Sequence, residues 1–386
     1  MSGPRHGWAA SWTASPQRPG AGFAPNWSQE GFAGQTLRQT VRLSIGGERL
    51  RIRLSHRYGT APLRVAGLTL GAGAGGAAVE PGTLHEVTVN GRAAFTVPAG
   101  ADLATDAVPL TAGALSRVTL SLYLAEPSGP ATYHAQALTT TYRAEGDHRA
   151  DLGGTGFAAA SASWYFLSGV DVAPGPGDGI VVLGDSLTDG TGSTPGADRR
   201  FPDRLAERLA AAGRPRAVLN QGIGGNRVTV DSPWLGERAT ARFRRDVLEQ
   251  PGVGTVLVLA GINDIALGGL DGNSPFPVLA PYPRVTAQEV VAGHLDMIRR
   301  ARAAGLRTVG ATLPPMRGSL FSTPEGEAAR AAVNAWIRES GEYDAVADLA
   351  RALGDALDPA HDSGDHLHPS DAGYLAMAEA VDLDRL

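Results

Sequence analysis

The apolar residues of this 386-residue chain repeat with two different periods, and the change falls at one place. Up to about Val172 they alternate, in short stretches separated by Gly, Pro and Ala-Gly breaks. LRQTVRLS (37–44), ERLRIRLSH (48–56), LRVAGLTL (63–70), RVTLSLYL (117–124) and TYHAQALTTTY (132–142) are examples. In ERLRIRLSH, Leu50, Ile52 and Leu54 take one face and Arg49, Arg51 and Arg53 the other, the pattern of a half-buried strand. Many such strands without a helical pattern between them predict an all-β sandwich over 1–172. APGPGDG (173–179) reads as a Pro/Gly-rich linker. Over 180–386, continuous apolar runs (IVVLGD, AVLNQG, TVLVLAG, RTVGATLPP, AVADL) alternate with helical patterns near 201–212, 236–249, 287–304, 325–340 and 372–381. Repeated βα units with such strands predict an α/β domain, a parallel sheet covered on both faces. Ligands of sheets of this kind sit at the carboxyl ends of the strands.

Composition narrows the chemistry. Hydrophobic residues make up 43% and charged residues 19%, a globular balance rather than that of a disordered chain. No apolar stretch reaches the roughly 18 residues of a spanning helix, so no membrane role is expected. A net charge of −5 does not favour nucleic acid as a partner. With Cys at 0, disulfides, thiolate metal sites and a catalytic cysteine are excluded. All 34 basic residues are Arg, which removes Schiff-base and P-loop lysines. The opening MSGPRHGWAASW has no charged region followed by an apolar one, so a cytoplasmic chain is expected, or a secreted one if a leader was removed. The oligomeric state is left open.

Four short motifs follow expected strands. In Gly184-Asp185-Ser186-Leu187, a serine at a sharp strand-to-helix turn can expose its hydroxyl and place its N–H near a developing oxyanion. The ordinary alternative is a helix cap by Asp185, Ser186 or Asp189. In Asn220-Gln221-Gly222-Ile223-Gly224-Gly225-Asn226, glycines let the backbone approach a ligand, or simply make a turn. In Gly261-Ile262-Asn263-Asp264, the Asn263 amide can donate to an oxyanion, while Asn263 or Asp264 as helix cap is the alternative. In Asp365-His366-Leu367-His368-Pro369, a carboxylate three residues before an imidazole can hold its tautomer. A solvated turn is one alternative there, and a metal site built from His361, Asp362, Asp365, His366 and His368 is another; the cluster lacks the i, i+4 histidine spacing of a helical zinc site.

Taken together and in this order, GDSL at Ser186, the glycine block at Gly225, GxND at Asn263 and DxxH at Asp365 and His368 resemble the four blocks of the SGNH/GDSL hydrolase superfamily. The resemblance covers roughly 179–386. It implies a flavodoxin-like three-layer α/β/α domain acting on esters through a serine nucleophile. Residue by residue, it implies Ser186 as nucleophile and first backbone donor, and Gly225 rather than Gly224 as second donor, because Gly225 precedes the polar Asn226. It further implies Asn263 as side-chain donor, His368 as base and Asp365 as its orienting carboxylate, with no role for His366 and no metal or organic cofactor. WAASWTASPQ near the start, GDH (146–148) and WYFLSGVDV (164–172) resemble two-domain actinobacterial GDSL proteins with an N-terminal β-sandwich. Most of these look like esterases, and a smaller set like acyltransferases that decorate polyketides from acyl-CoA.

Hydrolysis of a small-molecule acyl ester through an acyl-serine is therefore the leading expectation. Acyl transfer from a donor such as acyl-CoA to a hydroxyl is the alternative, and a carbohydrate- or partner-binding protein with a dead site the third. Segments 265–284 and 316–327 are expected to be loops that shape the pocket. Trp164, Tyr165 and Phe166 are read as sandwich core ahead of an aromatic wall at the pocket. Gly71–Gly76 matches GxGxxG but precedes Pro81 and a strand pattern, so it is rejected as a dinucleotide site and read as a β–β loop. His6, His56, His85, His134, His148 and His294 are read as surface or satisfied polar positions.

Overall fold

The computed structural model describes residues 7–268, 270 and 279–386. They fall into two compact units, Met1–Gly177 and Asp178–Leu386. His6 and part of the expected 265–284 loop lie outside the described residues.

The first unit is built of strands. A four-stranded antiparallel sheet is ordered Ala9–Thr13, Leu167–Ala173, Arg49–Ser55, Asp102–Ala104. A seven-stranded sheet has Gln35–Arg42 and Arg117–Leu124 at its middle. In Arg49–Ser55 the alternation works as expected on one face, where Leu50, Ile52 and Leu54 are fully buried. The other face is not simply solvated. Asp171, opposite Arg51 in the register, is buried, accepts the Arg51 Nε–H on Oδ2 at 2.9 Å and forms an ion pair with Arg53, whose Nε lies 2.9 Å from Oδ1. The glycines of the GxGxxG match lie mostly in the strand Gly67–Gly75, paired with Arg117–Leu124, rather than in a loop. A side chain at Gly71 would meet Val79 Cγ1 at 2.6 Å, so close packing between strands accounts for that glycine. Trp164, Tyr165 and Phe166 are core: Trp164 stands edge-on to Trp12, and Tyr165 stacks on Trp27.

In the second unit five strands form one parallel sheet: β1 Gly179–Gly184, β2 Val218–Gly222, β3 Val253–Leu259, β4 Arg307–Ala311 and β5 Ala345–Ala347. Their order is β2-β1-β3-β4-β5, the flavodoxin-like order, whose switch point lies between β1 and β3. The strands read as apolar runs because both faces are covered; β1 is buried throughout. Eight helices are described: α1 Ser186–Asp189, α2 Phe201–Ala211, α3 Ala239–Phe243, α4 Ile262–Leu267, α5 Ala287–Ala303, α6 Pro324–Glu339, α7 Leu349–Leu353 and α8 Asp371–Glu379. α2 packs on α8, and α5 packs on α3 and α6. The helix expected near 236–249 is α3 continued by a π-helical turn, Arg244–Leu248. β3 ends on Leu259 and α4 begins at Ile262, so 265–267 is helix rather than loop. Among the described residues no helix is long and apolar enough to cross a membrane.

Candidate active site

The register Gly222↔Gly184↔Leu259 brings the carboxyl ends of β2, β1 and β3 level. The residues after those three ends therefore share one edge of the sheet. After β1, Asp185 caps α1 by accepting the Leu187 N–H at 3.0 Å, and Ser186 opens the helix with 7% of its surface exposed. Burial pushes the Asp185 carboxyl up to about 7; the Leu187 N–H and the Arg242 guanidinium oppose the rise and Asp264 adds to it. The cap is therefore Asp185, and the Ser186 hydroxyl is not used to cap α1.

The remaining two groups arrive from the segment before α8. Asp365 Oδ1 accepts the backbone N–H of Leu367 at 3.0 Å and of His368 at 2.8 Å. Its Oδ2 lies 2.5 Å from His368 Nδ1, and His368 Nε2 lies 2.8 Å from Ser186 Oγ. Partial burial would raise the Asp365 carboxyl, but the hydrogen bond and charge of His368 and the two N–H groups outweigh it and hold it well below the usual range. His366, between them, has a left-handed backbone (φ 62°) and pairs with Asp362 at 2.6 Å. The histidine-rich segment thus resolves into two separate Asp–His pairs. Among the described residues no group of three or more His, Asp or Glu is placed to hold a metal ion.

The glycine block sorts its donors by geometry. The Gly224 N–H is taken by Asp189 Oδ2 at 3.0 Å, at the end of α1. The Gly225 N–H has no acceptor among the described residues. Gly225 also has φ 73°, where any side chain is strained, and a Cβ there would press on the end of the Leu235 side chain at 2.7 Å. Asn263 stands in the first turn of α4, 8% exposed, and spends one amide hydrogen on the Asn226 carbonyl at 3.2 Å, which aims the amide. Its helix is capped by Gly261 rather than by Asn263 or Asp264. Asp264 accepts the N–H groups of Val228 (2.7 Å) and Thr229 (3.0 Å) and the Thr229 hydroxyl (2.7 Å), tying α4 to the glycine loop.

One fully buried arginine joins these pieces from below. Arg242 donates to Gly184 O (2.7 Å), Gln221 O (2.8 Å), Asn226 Oδ1 (3.0 Å) and Asp246 Oδ2 (2.9 Å). It caps the carbonyl ends of β1 and β2 and holds the loop that carries Gly225. Arg242→Met is expected to cost about 3–5 kcal/mol, because it strands those acceptors in a dry interior; an unchanged urea midpoint would show the arginine to be dispensable.

The GDSL-like Lipase/Acylhydrolase family model matches residues 182–376. The chain belongs to that family. It is accordingly an enzyme of ester bonds, with a small-molecule ester as substrate. Among solved structures, an acetylxylan esterase from Geobacillus stearothermophilus is similar at 22% identity and TM-score 0.40, over 53% of this chain and 93% of that one. LAE5, an α/β hydrolase from the metagenome of Lake Arreo, gives 23% and 0.41 over 53% and 94%. A GDSL-like lipase from Bacteroides thetaiotaomicron gives 18% and 0.38 over 53% and 85%. No curated protein matches the chain.

Proposed function

We propose that this GDSL enzyme is a serine acyl-ester hydrolase that works through an acyl-serine on Ser186. The observation that carries the reading is the unbroken line Asp365 Oδ2, His368 Nδ1, His368 Nε2, Ser186 Oγ, with steps of 2.5 Å and 2.8 Å at its two hydrogen bonds. His368 Nε2 takes the Ser186 proton as Oγ bonds to the acyl carbon. The oxyanion is held by the N–H of Ser186, the N–H of Gly225 and the second amide hydrogen of Asn263. The carbonyl re-forms as the C–O bond to the alcohol breaks, and His368 returns the proton to the leaving oxygen. Water, losing a proton to His368, then attacks the acyl-serine; collapse frees the acid and reprotonates Ser186. All five residues lie in the second unit, which we take as the catalytic domain, with a three-layer α/β/α arrangement. The first unit we take as a β-sandwich.

Asn263→Ala is expected to lower kcat by on the order of 10²–10³, the scale of one lost oxyanion donor. A folded variant with full kcat on p-nitrophenyl acetate would remove Asn263 from the oxyanion hole. The reaction class is tested by intact mass after mixing with p-nitrophenyl esters or acyl-CoAs, with and without a polyol or phenolic acceptor. Hydrolysis predicts an adduct that water clears within seconds. An adduct that persists in water and clears only with acceptor would overturn hydrolysis in favour of acyl transfer.

A further inference from the structure

His294, on α5, is fully buried, and both ring nitrogens are engaged. Nε2 lies 3.0 Å from the Ala260 carbonyl and Nδ1 lies 2.7 Å from the Tyr343 hydroxyl. A carbonyl can only accept, so Nε2 carries the hydrogen. In the neutral ring Nδ1 is then a lone pair, and Tyr343 must donate to it. Burial pushes His294 down to about 4, opposed by the Ala260 carbonyl, and burial also raises Tyr343. Near neutral pH the pair therefore has one protonation state and one tautomer.

What this pair holds is specific. Ala260 lies between the last residue of β3, Leu259, and the cap of α4, Gly261, so its carbonyl belongs to neither ladder nor helix. Gly261 turns the chain at φ 120°, and a side chain there would meet Val290 Cγ1, one turn before His294 on α5, at 2.8 Å. Asn263 follows two residues later. The far side of Asn263 is already tied, by Asp264 to the backbone at 228–229 and by its own amide to Asn226. The near side is tied at Ala260. Packing alone does not call for an imidazole here, since Val290, Met297, Ile298 and Ala301 on the same helix are buried apolar residues. A buried polar ring is costly unless its hydrogen bonds are met. Here they are met by the Tyr343 hydroxyl and by the Ala260 carbonyl, which leads into the Asn263 turn.

We propose that His294 is a positioning residue for the oxyanion amide: its Nε2–H on the Ala260 carbonyl fixes the turn on which Asn263 stands. The proposal rests on the oxyanion role given to Asn263 above. Donors of this kind stabilise a transition state only when held within about half an ångström of the productive geometry, so loosening the turn should reduce kcat rather than substrate binding.

The test is carried out on the full chain with p-nitrophenyl acetate. His294→Leu is expected to lower kcat by roughly ten- to a hundredfold, within the cost of one lost donor, with KM changed less than about threefold. His294→Gln, whose amide can still donate to Ala260, is expected to recover most of that loss. In the double variant with Asn263→Ala, the His294→Leu penalty should vanish, because a positioning residue has nothing left to position. Multiplying penalties, or a folded His294→Leu with wild-type kcat, would overturn the proposal. Should His294→Leu fail to fold, Tyr343→Phe keeps the ring and removes only the donor to Nδ1; an about three- to tenfold loss of kcat is expected. The Asn263 side-chain amide resonance gives a readout independent of turnover. It should move in His294→Leu, or in Tyr343→Phe, and return in His294→Gln. A resonance that stays in place overturns the proposal even if the enzyme is active, whereas a fully active Asn263→Ala alongside a moved resonance overturns the oxyanion role and leaves the turn-fixing contact standing.

Discussion

Ser186→Ala is expected to lower kcat by on the order of 10⁴–10⁶ and to abolish the acyl adduct in intact mass, leaving the fold unchanged. The size follows from how the site is built. In the proposed mechanism Ser186 Oγ is the atom that bonds to the acyl carbon, and His368 Nε2, 2.8 Å away, is placed to take its proton. Removing Oγ leaves the proposed oxyanion donors, the Gly225 N–H and the Asn263 amide, in place, so a residual rate over water is expected from them alone. The fold should hold because the α1 turn is capped by Asp185, not by the serine hydroxyl. An adduct of the same mass on Ser186→Ala would place the nucleophile elsewhere. Loss of the adduct together with a lowered melting temperature would show a scaffold role for the hydroxyl.

Much of this was legible in the chain because periodicity and motif spacing are local signals. The change from period two to βα alternation near 173 lies close to where the two units divide, between Gly177 and Asp178; it shows in the sequence because a strand with one wet face and a strand buried on both faces need different residues. Ser186, Gly225, Asn263, Asp365 and His368 could be picked out as candidates because each sits in a short motif tied to a strand end or to α8. What was not legible depends on distant partners. Arg242 is one of 34 basic residues, all arginine, and nothing nearby in sequence marks it as the one that caps Gly184 and Gln221. Asp189 looked like a cap, and its second task, holding the Gly224 N–H, appears only once β2 lies beside β1. His294 was read as a satisfied polar position, which it is; the identity of the carbonyl that satisfies it is what gives it a role. Asp171 shows the same limit in the first unit, where alternation placed Arg51 and Arg53 outward and could not supply their buried partner on the next strand.

Asp365→Asn is expected to lower kcat by on the order of 10³–10⁴ at neutral pH, an effect on the scale of a triad left in the wrong tautomer. The half-exposed setting of Asp365 would ordinarily soften such a substitution, because an asparagine could turn its amide and present oxygen to the imidazole. Here the backbone forbids it. Oδ1 of Asp365 accepts two N–H groups, from Leu367 at 3.0 Å and His368 at 2.8 Å. An asparagine that kept its oxygen on those donors would aim its NH₂ at His368 Nδ1, the position 2.5 Å from Oδ2 in the native protein. Nδ1 would then have to accept, the ring proton would move to Nε2, and Nε2 would face Ser186 with a hydrogen instead of a lone pair. Flipping the amide would instead set two backbone N–H groups against an NH₂. Asp365→Ala lacks this conflict, because its imidazole can take either tautomer. Asparagine, the closer match in shape, should therefore be the slower variant. The ratio of the two kcat values measures the tautomer control directly, and an asparagine variant as fast as alanine, both folded, would mean that Asp365 acts on His368 through its charge alone.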